Sequence, residues 1–210
     1  MKYPTNKSII YEQLKKEIIS GILKPGEIVN EAEISKKYGV GRMPTREALL
    51  LLSHQNYVEA LPRVGYIITK PTLKEILDTF QVRILLEVEA IGFAVERINN
   101  EDIKRLKENN LIENSICNQE NGNSLYNKAF ELNREFHLTI ANISGNSRLA
   151  LIIENILDDM GRMLAFDPYI ADPNQHQKLI SCLEQHDKQR AQEAMRRHID
   201  DTRMRILRLY

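Results

Sequence analysis

Pro71 divides this chain into two stretches with different patterns. Its ring disfavours helix at Lys70. Directly after it, Thr72-Leu73-Lys74-Glu75 is a capping box, in which the Thr hydroxyl and the Glu carboxylate satisfy orphan backbone donors at a helix start. Before Pro71 the elements are short and include strand-like runs. After it almost everything has helical spacing. The expected organisation is two domains, 1–70 and 71–210, in a mainly α fold.

In the first stretch, Ile10, Leu14 and Ile18 recur at helical spacing, and Gly21 and Pro25-Gly26 end that helix. Asn30-Glu31-Ala32-Glu33 opens a short helix through Tyr38, punctuated by Gly39. A further helix runs from about Arg42 to His54, with Pro44 tolerated in its first turn. Ala48, Leu49, Leu51 and Leu52 are expected to face the first helix. Strands are expected over 57–61 and 66–69, around the turn Pro62-Arg63-Val64-Gly65. Helix, helix, turn, helix and hairpin is the order of a winged helix-turn-helix, which lays its second helix in a DNA major groove.

The charges agree. Lys+Arg and Asp+Glu are both 29, yet residues 1–70 hold 11 basic and 7 acidic side chains. A basic first third fits a nucleic-acid surface. Arg42 and Arg46 are i and i+4, so they share one face of their helix, and Arg is the usual reader of guanine. Arg63 and Gly65 fall at the wing tip. Neither Cys117 nor Cys182 belongs to a C-x-x-C pair, so the expectation is two reduced thiols in a cytoplasmic protein. The first ten residues lack the apolar region of a secretory signal. No apolar run approaches the ~18 residues that span a bilayer, so no membrane partner is expected.

Three segments in this order resemble the GntR family of bacterial regulators: Gly21-Ile22-Leu23-Lys24-Pro25-Gly26, Val40 to Leu49, and Pro62-Arg63-Val64-Gly65-Tyr66. The resemblance implies DNA contacts at Arg42, Met43, Thr45, Arg46, Arg63 and Gly65. Gly41 and Met43 depart from the family pattern, which usually has Ser and commonly Thr there. The second stretch is similar to the all-helical ligand-sensing (FCD) domain of the FadR-type branch. Val82-Arg83 with Glu87, Asn133 to His137, Ser144-Gly145-Asn146, and His176 with His198 carry that similarity.

Spacing supports part of this independently. Asn133 and His137 are i and i+4, stacked on one helix face. His176 and His198 are centred on residue 187, where Asp187 looks like an N-cap. A helix hairpin bent there brings the two histidines to similar heights. The resemblance implies a divalent metal on Asn133, His137, His176 and His198, beside a pocket for an organic acid. Three imidazoles and an oxygen suit zinc best, with nickel, manganese or iron as alternatives. Because Asn133 is neutral, this ligand set leaves the ion its full charge. Arg83 and Glu87, also i and i+4, form either a helix-face salt bridge or, as the resemblance implies, a site in which Arg83 faces the effector.

The expected function is a ligand-responsive transcription regulator, a repressor controlled by a small organic acid. A homodimer on an inverted-repeat operator is the common solution for so short a recognition helix. Two alternatives stand beside it. One is a metal-dependent hydrolase using the three histidines, although no H-E-x-x-H or nucleophile-elbow motif is present. The other is an architectural DNA-binding protein with a structural metal.

Overall fold

The computed structural model describes residues 5–117, 123–164 and 173–208. Contacts group the chain into two compact units, Met1–Pro71 and Thr72–Tyr210.

The first unit holds α1 (Asn6–Ile19), α2 (Glu31–Tyr38) and α3 (Arg42–His54), with strands β1 (Ile28–Val29), β2 (Val58–Leu61) and β3 (Gly65–Ile68). Local chemistry sets the helix ends. The Asn30 side chain accepts from the Glu33 N–H at the start of α2, and Gly39 closes it at φ 64°. Gly41 stands at the N-cap of α3 with no side-chain cap bond. The sheet order is β1-β3-β2, all antiparallel, with Val58 opposite Ile68 and Leu61 opposite Gly65. The two-residue β1, absent from the sequence reading, pairs Ile28 with Ile67.

Ile10, Leu14 and Ile18 of α1 meet Ile34, Ala48, Leu49 and Leu52 in one core, closed by Tyr57, Val58, Tyr66 and Ile68 of the hairpin region. Leu51 is not part of it: it is 38% exposed. At ~100° per residue it falls about 60° outside the stripe made by Ala48, Leu49 and Leu52.

The second unit is all helical among the described residues: α4 (Leu73–Ala94), α5 (Asn100–Cys117), α6 (Asn123–Ile143), α7 (Ser147–Leu164), α8 (Pro173–Glu184) and α9 (Lys188–Leu207). Both bonds of the Thr72–Glu75 capping box are formed. Asp187 caps α9 by accepting from the Arg190 N–H, so α8 and α9 form a hairpin bent at that residue. Helix α4 packs on α6, α7 and α9, while α5 packs on α6 and α8. The buried stripe of α4 runs through Ile76, Phe80, Ile84, Val88 and Ile91, and is interrupted by Arg83 and Glu87, also buried. Cys182 is a free thiol, and the Cys117 side chain lies outside the described residues. Among the described residues, no helix is long and apolar enough to cross a membrane.

The register of α3 has a direct consequence. Leu52→Ala removes a side chain with 0% exposure and is expected to cost about 2–5 kcal/mol. Leu51→Ala is expected to stay within about 0.5 kcal/mol of the parent. Urea unfolding checks this, and equal losses for the two variants would show the register to be wrong.

Candidate metal centre and nucleic-acid surface

Of the six residues implied for DNA contact, five lie together on the surface. Arg42, Arg46, Arg63 and Gly65 line one groove of about 500 Å³ between the start of α3 and the wing, with Glu31 and Tyr66 in its wall. Met43 is 67% exposed in the first turn of α3. The Arg46 Nε lies 3.8 Å from Glu31 Oε1, a half-solvated pair that costs little to break. Thr45 is the exception. It is completely buried, and its hydroxyl bonds the Gly41 carbonyl and the Ser35 hydroxyl, each at 3.0 Å. It ties α2 to α3 instead of facing a groove.

The wing tip is strained. Arg63 has φ 67°, a left-handed conformation that costs a non-glycine residue about 1–2 kcal/mol. Gly65 has φ 147°, and a Cβ there would lie 2.4 Å from the Val29 carbonyl oxygen. The glycine is thus required by the passage of β3 beside β1, whatever it does at a phosphate.

The second unit brings three histidines together. His137 of α6, His176 of α8 and His198 of α9 are 1%, 1% and 5% exposed. One ring nitrogen from each lies within 4.8 Å of the others. The His137 and His198 Nε2 atoms are 3.0 Å apart, and the His176 and His198 ring centroids 4.9 Å. Asn133, one turn before His137, places its amide nitrogen 3.3 Å from His176 Nε2. Arg83 Nη2 approaches His137 Nε2 at 3.4 Å, while its Nε bonds Glu87. Arg83 is therefore both salt-bridged and turned toward the imidazoles. A groove of about 430 Å³ between α8 and α9, lined in part by Lys178, Cys182 and Arg197, includes His198 in its wall. His54 and His186 are exposed and take no part.

Two buried carboxylates complete the cluster. Glu87 Oε2 lies 2.5 Å from His137 Nδ1, and Glu113 Oε2 lies 2.7 Å from His176 Nδ1. The Glu113–His176 contact is a hydrogen bond, the arrangement that orients histidine ligands on metals, whereas Glu87 Oε2 and His137 Nδ1 are close without hydrogen-bond geometry. The Nδ1 of His198 is buried with no hydrogen-bond partner. Three imidazoles this crowded, facing one another through ring nitrogens, form a donor set for a divalent cation.

Glu113 was not singled out from sequence. The available signal was its phase: Leu106, Asn109, Asn110 and Glu113 occupy buried positions of α5 at i, i+3, i+4 and i+7. The carboxylates also correct the charge argument. The three imidazoles and the amide are neutral, but Glu87 and Glu113 place two negative charges against them and Arg83 one positive charge, so an ion here would not keep its full charge.

Burial pushes the His137 and His198 rings below the ordinary histidine range, and for His198 the neighbouring histidines and Arg83 add to it. Glu87 responds oppositely. Burial raises its carboxyl, but Arg83 and His137 overcome that and hold it at about 2. The stable combination is an ionised Glu87 beside a neutral His137, the form that ligates metal.

Two expectations follow from these geometries. Gly65→Ala should lower stability by about 1–3 kcal/mol because the chain is forced off β1, while Arg63→Ala should change it by no more than about 0.5 kcal/mol. Thermal melts with the reverse order would contradict the placement of the wing. In the metal-free protein, both depressed histidines titrate below the unfolded value of 6.5. The unfolded chain then binds protons that the folded unit refuses, so stability is complete above about pH 6.5 and falls as pH drops below it. Denaturant unfolding at pH 7.5 and 5.5 in a chelator should show a loss at the lower pH. No loss would place these rings in water.

Two family models match this chain. Residues 6–68 match the family model for bacterial regulatory proteins of the gntR family, and residues 78–201 match that of the FCD domain. The HTH-type transcriptional regulator YdhC of Bacillus subtilis is 34% identical over 152 residues, which cover 70% of this chain and 65% of that protein. The HTH-type transcriptional repressor RspR of Escherichia coli is 26% identical over 94% of this chain and 87% of its own length. The solved structure of E. coli McbR/YncC shares the fold, with a TM-score of 0.82 at 21% identity over 98% of this chain and 99% of that one. The chain belongs to the GntR family of bacterial regulators, in the branch that carries an FCD domain, and is a DNA-binding transcription regulator, not an enzyme.

Proposed function

We propose that this chain is a cytoplasmic repressor whose affinity for an inverted-repeat operator is set by a small organic acid bound at a divalent-metal site. The observation that carries this reading is the buried convergence of His137, His176 and His198, with carboxylates on two of the three outer nitrogens. These histidines hold the ion, with Asn133 as a weaker oxygen ligand. Zinc suits this set best, with nickel, manganese and iron as alternatives. A bound divalent ion supplies a positive centre with an open position for a carboxylate oxygen.

This chain's own residues set the sign of the site. Glu87, Glu113 and Arg83 together carry one negative charge, so the cluster without a metal repels an anion. A divalent ion turns that to one positive charge, and the acid is then attracted. Arg83 keeps Nε on Glu87 and turns Nη2 toward the imidazoles, where it can donate to the second oxygen of the acid. On the DNA side, Arg42, Arg46 and Arg63 supply base and phosphate contacts, with Met43 beside them and Gly65 shaping the wing. A homodimer is supported by exposed apolar residues on two packed helices, Val82 and Leu85 of α4 and Leu151 and Ile152 of α7. The repressor reading is supported by the name of the E. coli relative.

Calorimetry with a panel of metabolite acids, in zinc-loaded and chelated protein, tests the sensor. Acids should bind only the loaded form and should weaken operator binding in a mobility shift at fixed salt. Arg42→Ala and Arg46→Ala should each cost about 1–3 kcal/mol of operator affinity, and light scattering should give a dimer. Binding of neutral or cationic compounds alone would overturn the effector class. Unfolding on chelation would favour a structural metal in an architectural protein.

A further inference from the structure

The outer carboxylate on α5 has a more specific role than its burial requires. Glu113 has 0% exposure. Its Oε2 faces His176 Nδ1 at 2.7 Å, and its Oε1 accepts from the Asn133 amide at 3.4 Å. Among the described residues, no lysine or arginine is ion-paired with it. One carboxylate thus spans two of the four proposed ligand residues, which come from different helices.

An ionised carboxylate only accepts hydrogen bonds. Facing Glu113, His176 must carry its proton on Nδ1, which leaves Nε2 without one, toward the other imidazoles and 3.3 Å from the Asn133 amide nitrogen. By the same rule Glu113 selects the nitrogen end of the Asn133 amide. Phe136 stacks on the His176 ring with centroids 4.1 Å apart and planes 12° apart, so the ring is held through its face as well as its edge. A carboxylate at position 133 would set a second negative charge against Glu113, with no cation between them.

We propose that Glu113 is a positioning residue of the metal site: it orients His176 and Asn133 together, and it carries one hydrogen bond outward the negative charge that the neutral amide lacks. This inference rests on the metal reading above. Positions 113 and 133 are a matched pair that tolerates one charge. The pair is therefore exchangeable. In the double variant Glu113→Gln/Asn133→Asp, the glutamine oxygen still accepts from His176 Nδ1 and its amide donates to the new carboxylate. In Glu113→Gln alone, two amides face each other, and the Asn133 oxygen is drawn away toward residue 113.

The test is Zn²⁺ affinity, read by competition with a chromophoric chelator on the full chain, with circular-dichroism melts for each variant. Glu113→Gln should weaken Zn²⁺ about 10–100-fold, and Asn133→Asp should also weaken it. The double variant should return to within about threefold of the parent, a coupling expected only of groups in contact. The imidazole ¹⁵N spectrum of the metal-free parent should show His176 as the Nδ1–H tautomer, and Glu113→Ala should lose that signature. Parent-like Zn²⁺ binding by Glu113→Gln overturns the proposal. So does a double variant whose loss is the product of the single losses, and where a single variant folds poorly a folded double variant that binds Zn²⁺ more than about tenfold weaker than the parent overturns it as well. A parent that binds no Zn²⁺ brings down the metal reading itself and this inference with it, whereas a parent that binds Zn²⁺ alongside an unaffected Glu113→Gln removes this inference alone.

Discussion

Two buried contacts between carboxylate and imidazole organise the C-terminal unit. Glu87 on α4 meets His137 on α6, and Glu113 on α5 meets His176 on α8. Burying a carboxylate costs several kcal/mol unless partners compensate. Arg83 does so for Glu87, while for Glu113 the compensation comes from an imidazole N–H and an amide. The helices therefore meet at fixed heights, because any sliding would strand a buried charge. His198 is brought in by the Asp187 bend and by α9 packing on α4, and its outer nitrogen finds no acceptor. The cluster is a costly core and a well-aimed site for the same reason.

The N-terminal unit solves a smaller version of the problem. Helix α3 exposes Arg42, Met43 and Arg46 while burying Ala48, Leu49 and Leu52 a turn later. Thr45 marks the change. Its hydroxyl donates to the Gly41 carbonyl in the first turn of α3 and bonds the Ser35 hydroxyl across the turn, so a buried hydrogen bond ties α2 to α3. The wing accepts left-handed backbone at Arg63 to place a guanidinium at its tip, and it needs glycine at 65 because β1 runs too close for a Cβ. Strain at such a tip is a common companion of function.

The electrostatic content of the histidine cluster follows from where its charges stand. Had the negative charge been on a ligand at position 133, it would touch the ion directly. Here it stands behind the ligands, on Glu87 and Glu113, while Arg83 is divided between Glu87 and the imidazoles. Arg83 stands at the edge of the three histidines, with Nη2 3.4 Å from His137 Nε2.

Much of this was legible from sequence, and the limit has a physical form. Helix starts at Asn30, Thr72 and Asp187, the turn at Gly39 and the span Arg42–His54 depend on bonds a few residues long, so local residue order determined them. The pairing of His176 with His198 was also readable, since equal distances from a bend place two residues at one height. The two-residue β1, the outward turn of Leu51, the burial of Thr45 and the placement of Glu113 against His176 were not. Each depends on a neighbour distant in the chain or on the rotation of a helix about its axis, where one residue shifts a side chain by ~100°. Sequence by itself determined the helix starts, the helix Arg42–His54 and the common height of His176 and His198. Tertiary packing decided which carboxylates stand behind those histidines, and so the charge of the site, because a buried charge takes its meaning from the groups within a few ångströms of it.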